Sequence, residues 1–276
     1  MKIFVVGLGL IGGSYLEGFK KQGYLVYGYD HNPLVMEKAI KYQLIDKDSS
    51  LEKISIADLI ILALYPQDNI RFVKEHKHLF AKHQLITDVS GTKMDVVREI
   101  ENTLDENIAY TSHHPMAGKE TKGFDVRDAN IFHGANFLIV KTKRTKPIDE
   151  IILKKLAQDL GFKHTISVTP KEHDELIAFT SQLTHILAVG LVNSDSHEQT
   201  KYATGDSYRD LTRIAKINET LWAELFLENK DALINQINVF ESSINHLKQL
   251  LMDEDKEELI NALKKAKEKR ESFDVD

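Results

Sequence analysis

The chain contains no cysteine, which excludes disulfides, cysteine-based zinc sites and cysteine nucleophiles and fits a reducing compartment. It also lacks an uninterrupted apolar run of the ~18 residues that a membrane span requires, so none is expected. A basic stripe is missing too. Net charge is −6 with a pI near 6.1, and the one dense basic run, Lys141 to Lys146, adjoins Pro147 as a solvated linker would. Nucleic acid is therefore not an expected partner, and small molecules are. The opening MKIFVVGLGLIGGS superficially mimics a secretion signal, but glycines break its apolar run and suit a strand-turn-helix instead. A soluble, cytoplasmic protein is expected.

What is present is enough apolar residue, 42% of 276, to bury a sizeable core. Single cores rarely grow past ~250 residues, so two domains are expected. Lys2 to Val6 is a short β-branched run of the kind buried on both faces of a parallel sheet. It leads into Gly7-Leu8-Gly9-Leu10-Ile11-Gly12-Gly13-Ser14, a G-x-G-x-x-G with a strand before and a helix after. Gly7 permits the turn, Gly9 lets backbone approach a pyrophosphate, and Gly12 lets helix and strand lie close. The helix N-terminus then offers free N–H groups to phosphate. Leu10, Ile11 and, from the next crevice strand, Leu64 are counted as cofactor-binding with these glycines.

A second strand ends at Asp30, eighteen residues after Gly12, placed to accept hydrogen bonds from an adenine ribose. His31 and Asn32 follow rather than arginine, which favours NAD over NADP. The strand-helix alternation continues through Leu59–Leu64 and Leu85–Val89, with helices between. Ser90 and Thr92 follow the latter strand, where a hydroxyl either faces the crevice or caps the next helix. His76 and His78 are two residues apart and share no helical face, so no metal site is expected.

The segment Ser112-His113-His114-Pro115-Met116-Ala117-Gly118-Lys119-Glu120 packs two imidazoles, a carboxylate and a turn into nine residues. A histidine at the carboxyl end of a parallel strand, beside a nicotinamide, can take the proton of a substrate hydroxyl while hydride leaves the same carbon. Downstream, Thr169-Pro170-Lys171-Glu172 is a capping box that starts a helix reaching about Asn193. That helix is apolar nearly all round, as a central bundle helix is. Ser181 and His185 share one of its faces and need partners from protein or ligand. Tyr202 to Asp210 lacks periodicity and reads as a loop. Arg213 offers a planar fork to carboxylates from a partly apolar setting, a salt bridge being the alternative. From Glu219 to Leu251 apolar residues including Trp222, Phe226, Leu233 and Ile237 form one long stripe; core packing is the ordinary explanation, and a stripe too long for one monomer to cover suggests a helical dimer interface.

The chain resembles the prephenate/arogenate dehydrogenase family of tyrosine biosynthesis. The resemblance rests on the glycine loop, Thr87-Asp88-Val89, His114-Pro115-Met116-Ala117-Gly118 with Glu120, Ser181 with His185, and Asp210-Leu211-Thr212-Arg213-Ile214-Ala215 followed by Trp222. It implies a Rossmann-type doubly wound sheet over 1–167 and an all-α substrate-binding and dimerisation domain over 168–276. The catalytic imidazole falls on His114, the carboxylate anchor on Arg213, and pocket roles on His185, Ser181 and Glu120. The family reads D-V-G-S-x-K where this chain has Asp88-Val89-Ser90-Gly91-Thr92-Lys93, so either Ser90 or Thr92 supplies the hydroxyl near substrate. The implied reaction is NAD-dependent oxidative decarboxylation of prephenate to 4-hydroxyphenylpyruvate. Arogenate as substrate and a non-catalytic dinucleotide sensor are the alternatives. No metal is implied, a homodimer through the C-terminal helices is, and the ACT-type regulatory domain of many relatives is not expected before the end at Asp276.

Overall fold

The computed structural model describes residues 1–47, 49–119 and 121–274. Met1–Asn229 forms one compact unit and Lys230–Asp276 a second.

In the first unit strands and helices alternate: β1 (Lys2–Val6), α1 (Leu10–Lys21), β2 (Leu25–Tyr29), α2 (Pro33–Lys41), β3 (Leu59–Leu62), α3 (Pro66–His76), β4 (Leu85–Asp88), α4 (Met94–Thr103) and β5 (Ala109–Tyr110). The five strands are parallel, in the order β2-β1-β3-β4-β5. Alternation along β1 feeds two cores. Ile3 and Val5 join Leu16, Phe19 and Leu153 on one face; Phe4 and Val6 join Val73, Val96 and Ile100 on the other. Both faces are dry, which is why β1 and β3 read as unbroken apolar runs. The order reverses at β1, leaving a crevice beyond the carboxyl ends of β1 and β3, where such sheets bind ligands.

The sequence reading of one further strand through residue 109 onward needs correction. The Thr111 amide still bonds Ile86 O, but from Ser112 the chain leaves the parallel sheet. β6 (Ser112–Pro115) pairs antiparallel with β7 (Asn136–Val140), and after α5 (Pro147–Asp159) comes β8 (His164–Val168), parallel to β7. His114 therefore lies within a strand of a second, three-stranded sheet, opposite Leu138, and not at the carboxyl end of a parallel strand.

The helical part begins with α6 (Pro170–Ile177), whose capping box between Thr169 and Glu172 forms as expected. A π-helical turn at Ala178–Gln182 joins it to α7 (Leu183–Asn193). By length and composition alone the stretch Pro170–Asn193 could cross a membrane. In the fold its first turn instead buries polar groups, His173 and Asp174, against α4 and β6. Nor is it buried all round: Leu176, Phe179 and Val192 are exposed. The segment read as a loop is helical over α8 (Thr200–Ala203) and α9 (Asp206–Thr212). Asp206 in the first turn of α9 pairs with Arg209 one turn on, a local stabilisation that hydrophobic periodicity does not register.

The long stripe is also not one helix. α10 (Glu219–Glu228) ends at Asn229, whose side-chain amide donates to Asp174 O and to Gln182 Oε1, both at 2.8 Å. The second unit consists of α11 (Lys230–Met252) and α12 (Lys256–Glu271), with Glu254 at φ 54° in the turn and Asp255 capping α12 through the Glu258 amide.

Candidate active site

The glycine loop is held by its geometry. Gly7 sits at φ 84°, a left-handed conformation that costs a glycine little. A Cβ on Gly12 would lie 1.8 Å from Gly7 O, so α1 can leave β1 this closely only with hydrogen there. Gly9, the N-cap of α1, has nothing within 4 Å of a would-be Cβ. That open space, beside the amides of the first helical turn, fits a dinucleotide phosphate. Asp30 closes β2 and accepts from the amides of Leu8 (2.8 Å) and Asn32 (2.9 Å), which ties the end of β2 to the glycine loop.

Beside the loop opens a cavity of about 960 Å³. Gly9, Leu10, Ile11 and Leu64 line the side next to the glycine loop, and Ser90 and His114 its floor. Ser181, His185 and Arg213 come from the helical part. Residues from 9 to 213 are thus brought to one chamber. Among the described lining residues Lys119, Lys122, Arg213 and Lys216 are cationic and Glu219 is the single acid, a balance that favours an anionic ligand. His185 stacks on Trp222 with ring centroids 3.7 Å apart, and its Nδ1 bonds Ser181 O at 2.9 Å. Glu120 lies outside the described residues.

The two candidate hydroxyls part company. Ser90 lines the cavity, fixed by Asn69 Nδ2 donating to its Oγ at 3.0 Å. Thr92 does not line it; its hydroxyl donates to Glu228 at the end of α10. Neither hydroxyl caps α4. Asp174 does, accepting from the amides of Lys93 and Met94, each at 2.8 Å.

The adjacent histidines differ as sharply. His113 is buried, its Nε2 2.8 Å from Tyr15 Oη and its Nδ1 2.6 Å from Thr87 Oγ1. Burial, with Lys93 nearby, pushes its pKa down to about 3, so it is a neutral core residue. His114 faces the cavity, and its Nδ1 lies 2.9 Å from Nε2 of His173. Desolvation, then the neighbouring His173 and Lys93, hold its pKa well below the usual imidazole range. A neutral imidazole near pH 7 is one that can accept a proton.

Beneath the site lies an ion pair that sequence reading missed. Lys93 and Asp88 are both fully buried; Lys93 Nζ also donates to His113 O at 2.8 Å, and Tyr110 Oη donates to Asp88 at 2.7 Å. Burial would raise the Asp88 carboxyl, but the Lys93 charge and these donors outweigh it and hold it well below the carboxylate range. The visible signal was an acid ending an otherwise apolar strand with a lysine five residues on. His173 and Asp174 were missed too, although an acid-imidazole dipeptide opening an apolar helix is a comparable signal.

Two family models match the chain: the nucleotide-binding domain of prephenate dehydrogenase over residues 17–165, and the prephenate dehydrogenase dimerization domain over 169–265. The prephenate dehydrogenase of Bacillus subtilis is 29% identical over 98% of this chain and 76% of its own length. That of Lactococcus lactis is 30% identical over 99% of this chain and 78% of its own. Among solved structures, prephenate dehydrogenase from A. aeolicus, in complex with hydroxyphenyl propionate and NAD+, superposes with a TM-score of 0.88 at 30% identity, covering 99% of this chain and 98% of that one. The architecture, a Rossmann-type sheet followed by helices, is the one these proteins share. By family models that together span most of its length, and by relatives matched nearly end to end, the chain belongs to the prephenate dehydrogenase family.

Proposed function

We propose that the protein oxidises prephenate with NAD, releasing CO2 and forming 4-hydroxyphenylpyruvate. The observation that carries this reading is a neutral, cavity-facing His114 set between the glycine loop and a cationic wall that includes Arg213. NAD supplies the hydride acceptor when bound. The chain's own part is to hold and deprotonate. His114 takes the proton of the ring alcohol, Arg213 anchors a carboxylate of a substrate that carries two, and the lysines of the wall offset the remaining charge. Loss of the ring carboxylate as CO2 then leaves an aromatic phenolate, which takes back the proton held on His114 to give the phenol, and aromatisation makes the step downhill.

Ser90 is the hydroxyl assigned to the reacting centre, since it lines the cavity and Thr92 is engaged by Glu228. Ser181 and His185 contribute the helical wall of the substrate site. Gly7, Gly9, Leu10, Ile11, Gly12 and Leu64 hold the nucleotide, and the acid at Asp30 favours NAD by repelling a 2′-phosphate. Support for division near residue 167 comes from family matches that end at 165 and resume at 169. The C-terminal helices are assigned to a homodimer interface, a reading supported by the dimerization-domain match and by exposed Leu251, Met252 and Leu263.

Purified protein mixed with NAD or NADP and with prephenate or arogenate, followed by NADH or NADPH absorbance and CO2 release, tests the reading. Turnover of prephenate with NAD above the other three combinations is expected. Tight NAD binding with no turnover of either substrate would sink it.

A further inference from the structure

We propose that His173 and Asp174 form a positioning device that fixes His114 as the tautomer protonated on Nδ1, so that Nε2 presents its lone pair to the substrate. The inference rests on the reading of His114 as the base and adds residues from a helix remote in sequence.

The geometry is a chain of three groups. Asp174 Oδ1 lies 2.7 Å from His173 Nδ1, and His173 Nε2 lies 2.9 Å from His114 Nδ1. Proton positions follow from the carboxylate end. Asp174 Oδ1 accepts the Lys93 amide and Oδ2 accepts the Met94 amide, both at 2.8 Å, so the group stands at the N-terminus of α4 as an acceptor. An ionised carboxylate has no hydrogen to give, so His173 must carry its proton on Nδ1. His173 is fully buried and neutral, so its Nε2 is then the acceptor, and His114 must donate from Nδ1. One ring nitrogen of His114 remains, Nε2, and His114 lines the cavity.

Nothing in this arrangement is free to turn. The Thr169–Glu172 capping box sets the first turn of α6. Asn229 Nδ2 holds the Asp174 carbonyl at 2.8 Å, and the amides of Lys93 and Met94 at the start of α4 hold its carboxylate. The other charges near the chain are committed elsewhere: Lys93 Nζ to Asp88 and the His113 carbonyl, Asp88 to Lys93 and Tyr110. When His114 takes a proton, the imidazolium formed donates toward His173, whose far side faces the Asp174 carboxylate. The device therefore opposes the wrong tautomer and stabilises the charge that develops.

The direct test is long-range proton–nitrogen NMR of the full chain at neutral pH, reading the two ring nitrogens of His114. The expected signature is a protonated Nδ1 and a bare Nε2; a proton on Nε2 overturns the proposal. Two variants read the consequence without disturbing the Asp174 cap. His173→Phe keeps the ring shape and removes the acceptor. It should lower kcat with prephenate about a hundredfold, with KM within about threefold, and move the acidic limb of the kcat–pH profile. His173→Gln restores an acceptor near Nε2 and should recover kcat to within about tenfold of wild type. Folded His173→Phe protein with wild-type kcat would overturn the proposal, and if that variant does not fold, the wild-type tautomer still decides. Wild-type protein that turns over neither substrate yet carries the Nδ1 proton would instead overturn the assigned reaction and leave the device standing.

Discussion

The Lys93 ammonium lies 2.8 Å from the Asp88 carboxylate with neither side chain exposed to solvent. A buried pair of this kind gains little over an apolar substitute, but losing one member leaves a bare charge in a dry interior. Here the pair also holds the His113 carbonyl, and with it the strand that carries His114. Lys93→Met should therefore cost roughly 3–5 kcal/mol of stability. The double variant Lys93→Met/Asp88→Asn should recover part of that loss. Chemical denaturation of the three proteins checks this, and equal stability of Lys93→Met and wild type would contradict it.

The pKa of His113 predicts how stability responds to acid. Its folded-state value of about 3 lies below the ~6.5 of an unfolded chain, so below ~6.5 the unfolded state binds a proton that the folded state refuses. This contribution is complete above pH ~6.5 and is lost as pH falls toward 3, amounting to roughly 4–5 kcal/mol at most. Asp174 acts in the opposite sense. Burial raises its pKa to about 6, against the pull of the Met94 and Lys93 amides, so stability gains as pH falls from 6 toward ~3.8. Comparing melting curves of wild type and His113→Asn at each pH isolates the histidine, because the other groups cancel. The variant should be less stable at pH 7, and the gap should narrow steadily below pH 6.5. A gap independent of pH would show that His113 is not the group being titrated.

The glycine loop allows packing and binding to be separated. Gly12→Ala places a methyl 1.8 Å from Gly7 O, so helix α1 must shift, and both melting temperature and NAD affinity should fall. Gly9→Ala meets no protein atom within 4 Å and keeps an ordinary extended φ of −70°, so the fold should melt as wild type does. Its methyl would stand where the pyrophosphate is assigned, and NAD affinity should drop at least about tenfold. Calorimetric titration with thermal melts reads both. Unchanged affinity in Gly9→Ala would move the phosphate away from this loop.

His114 and Arg213 share the cavity but should fail differently. His114→Asn removes the group proposed as the base and should lower kcat about 10²- to 10⁴-fold with little change in KM. Arg213→Ala removes the proposed charge-assisted contact to a substrate carboxylate, of a kind worth about 1.5–3 kcal/mol, and should raise the KM for prephenate roughly 10- to 150-fold. Steady-state kinetics with NAD affinity measured separately distinguishes them. Equal loss of NAD affinity in both variants would mean that they support the fold rather than the chemistry.

The sequence by itself determined what depends on near neighbours. The apolar run Lys2–Val6, the glycine spacing, the acid closing β2 and the box at Thr169–Glu172 each follow from residues within one turn or strand, so they were legible in the sequence alone. His114 and Arg213, which the structure places on one cavity, stood out through motif resemblance. Only the tertiary structure decided the contacts between distant segments. It split residues 109–115 between two sheets, because Thr111 still bonds β4 while Ser112 already pairs with β7. It turned Thr92 to Glu228 and left Ser90 on the cavity. It set His173 against His114 and Asp174 at the start of α4, across gaps of 59 and 80 residues. A polar side chain in an apolar helix announces that it needs a partner, but which partner it meets depends on how the strands order and the helices pack, and no local pattern encodes that.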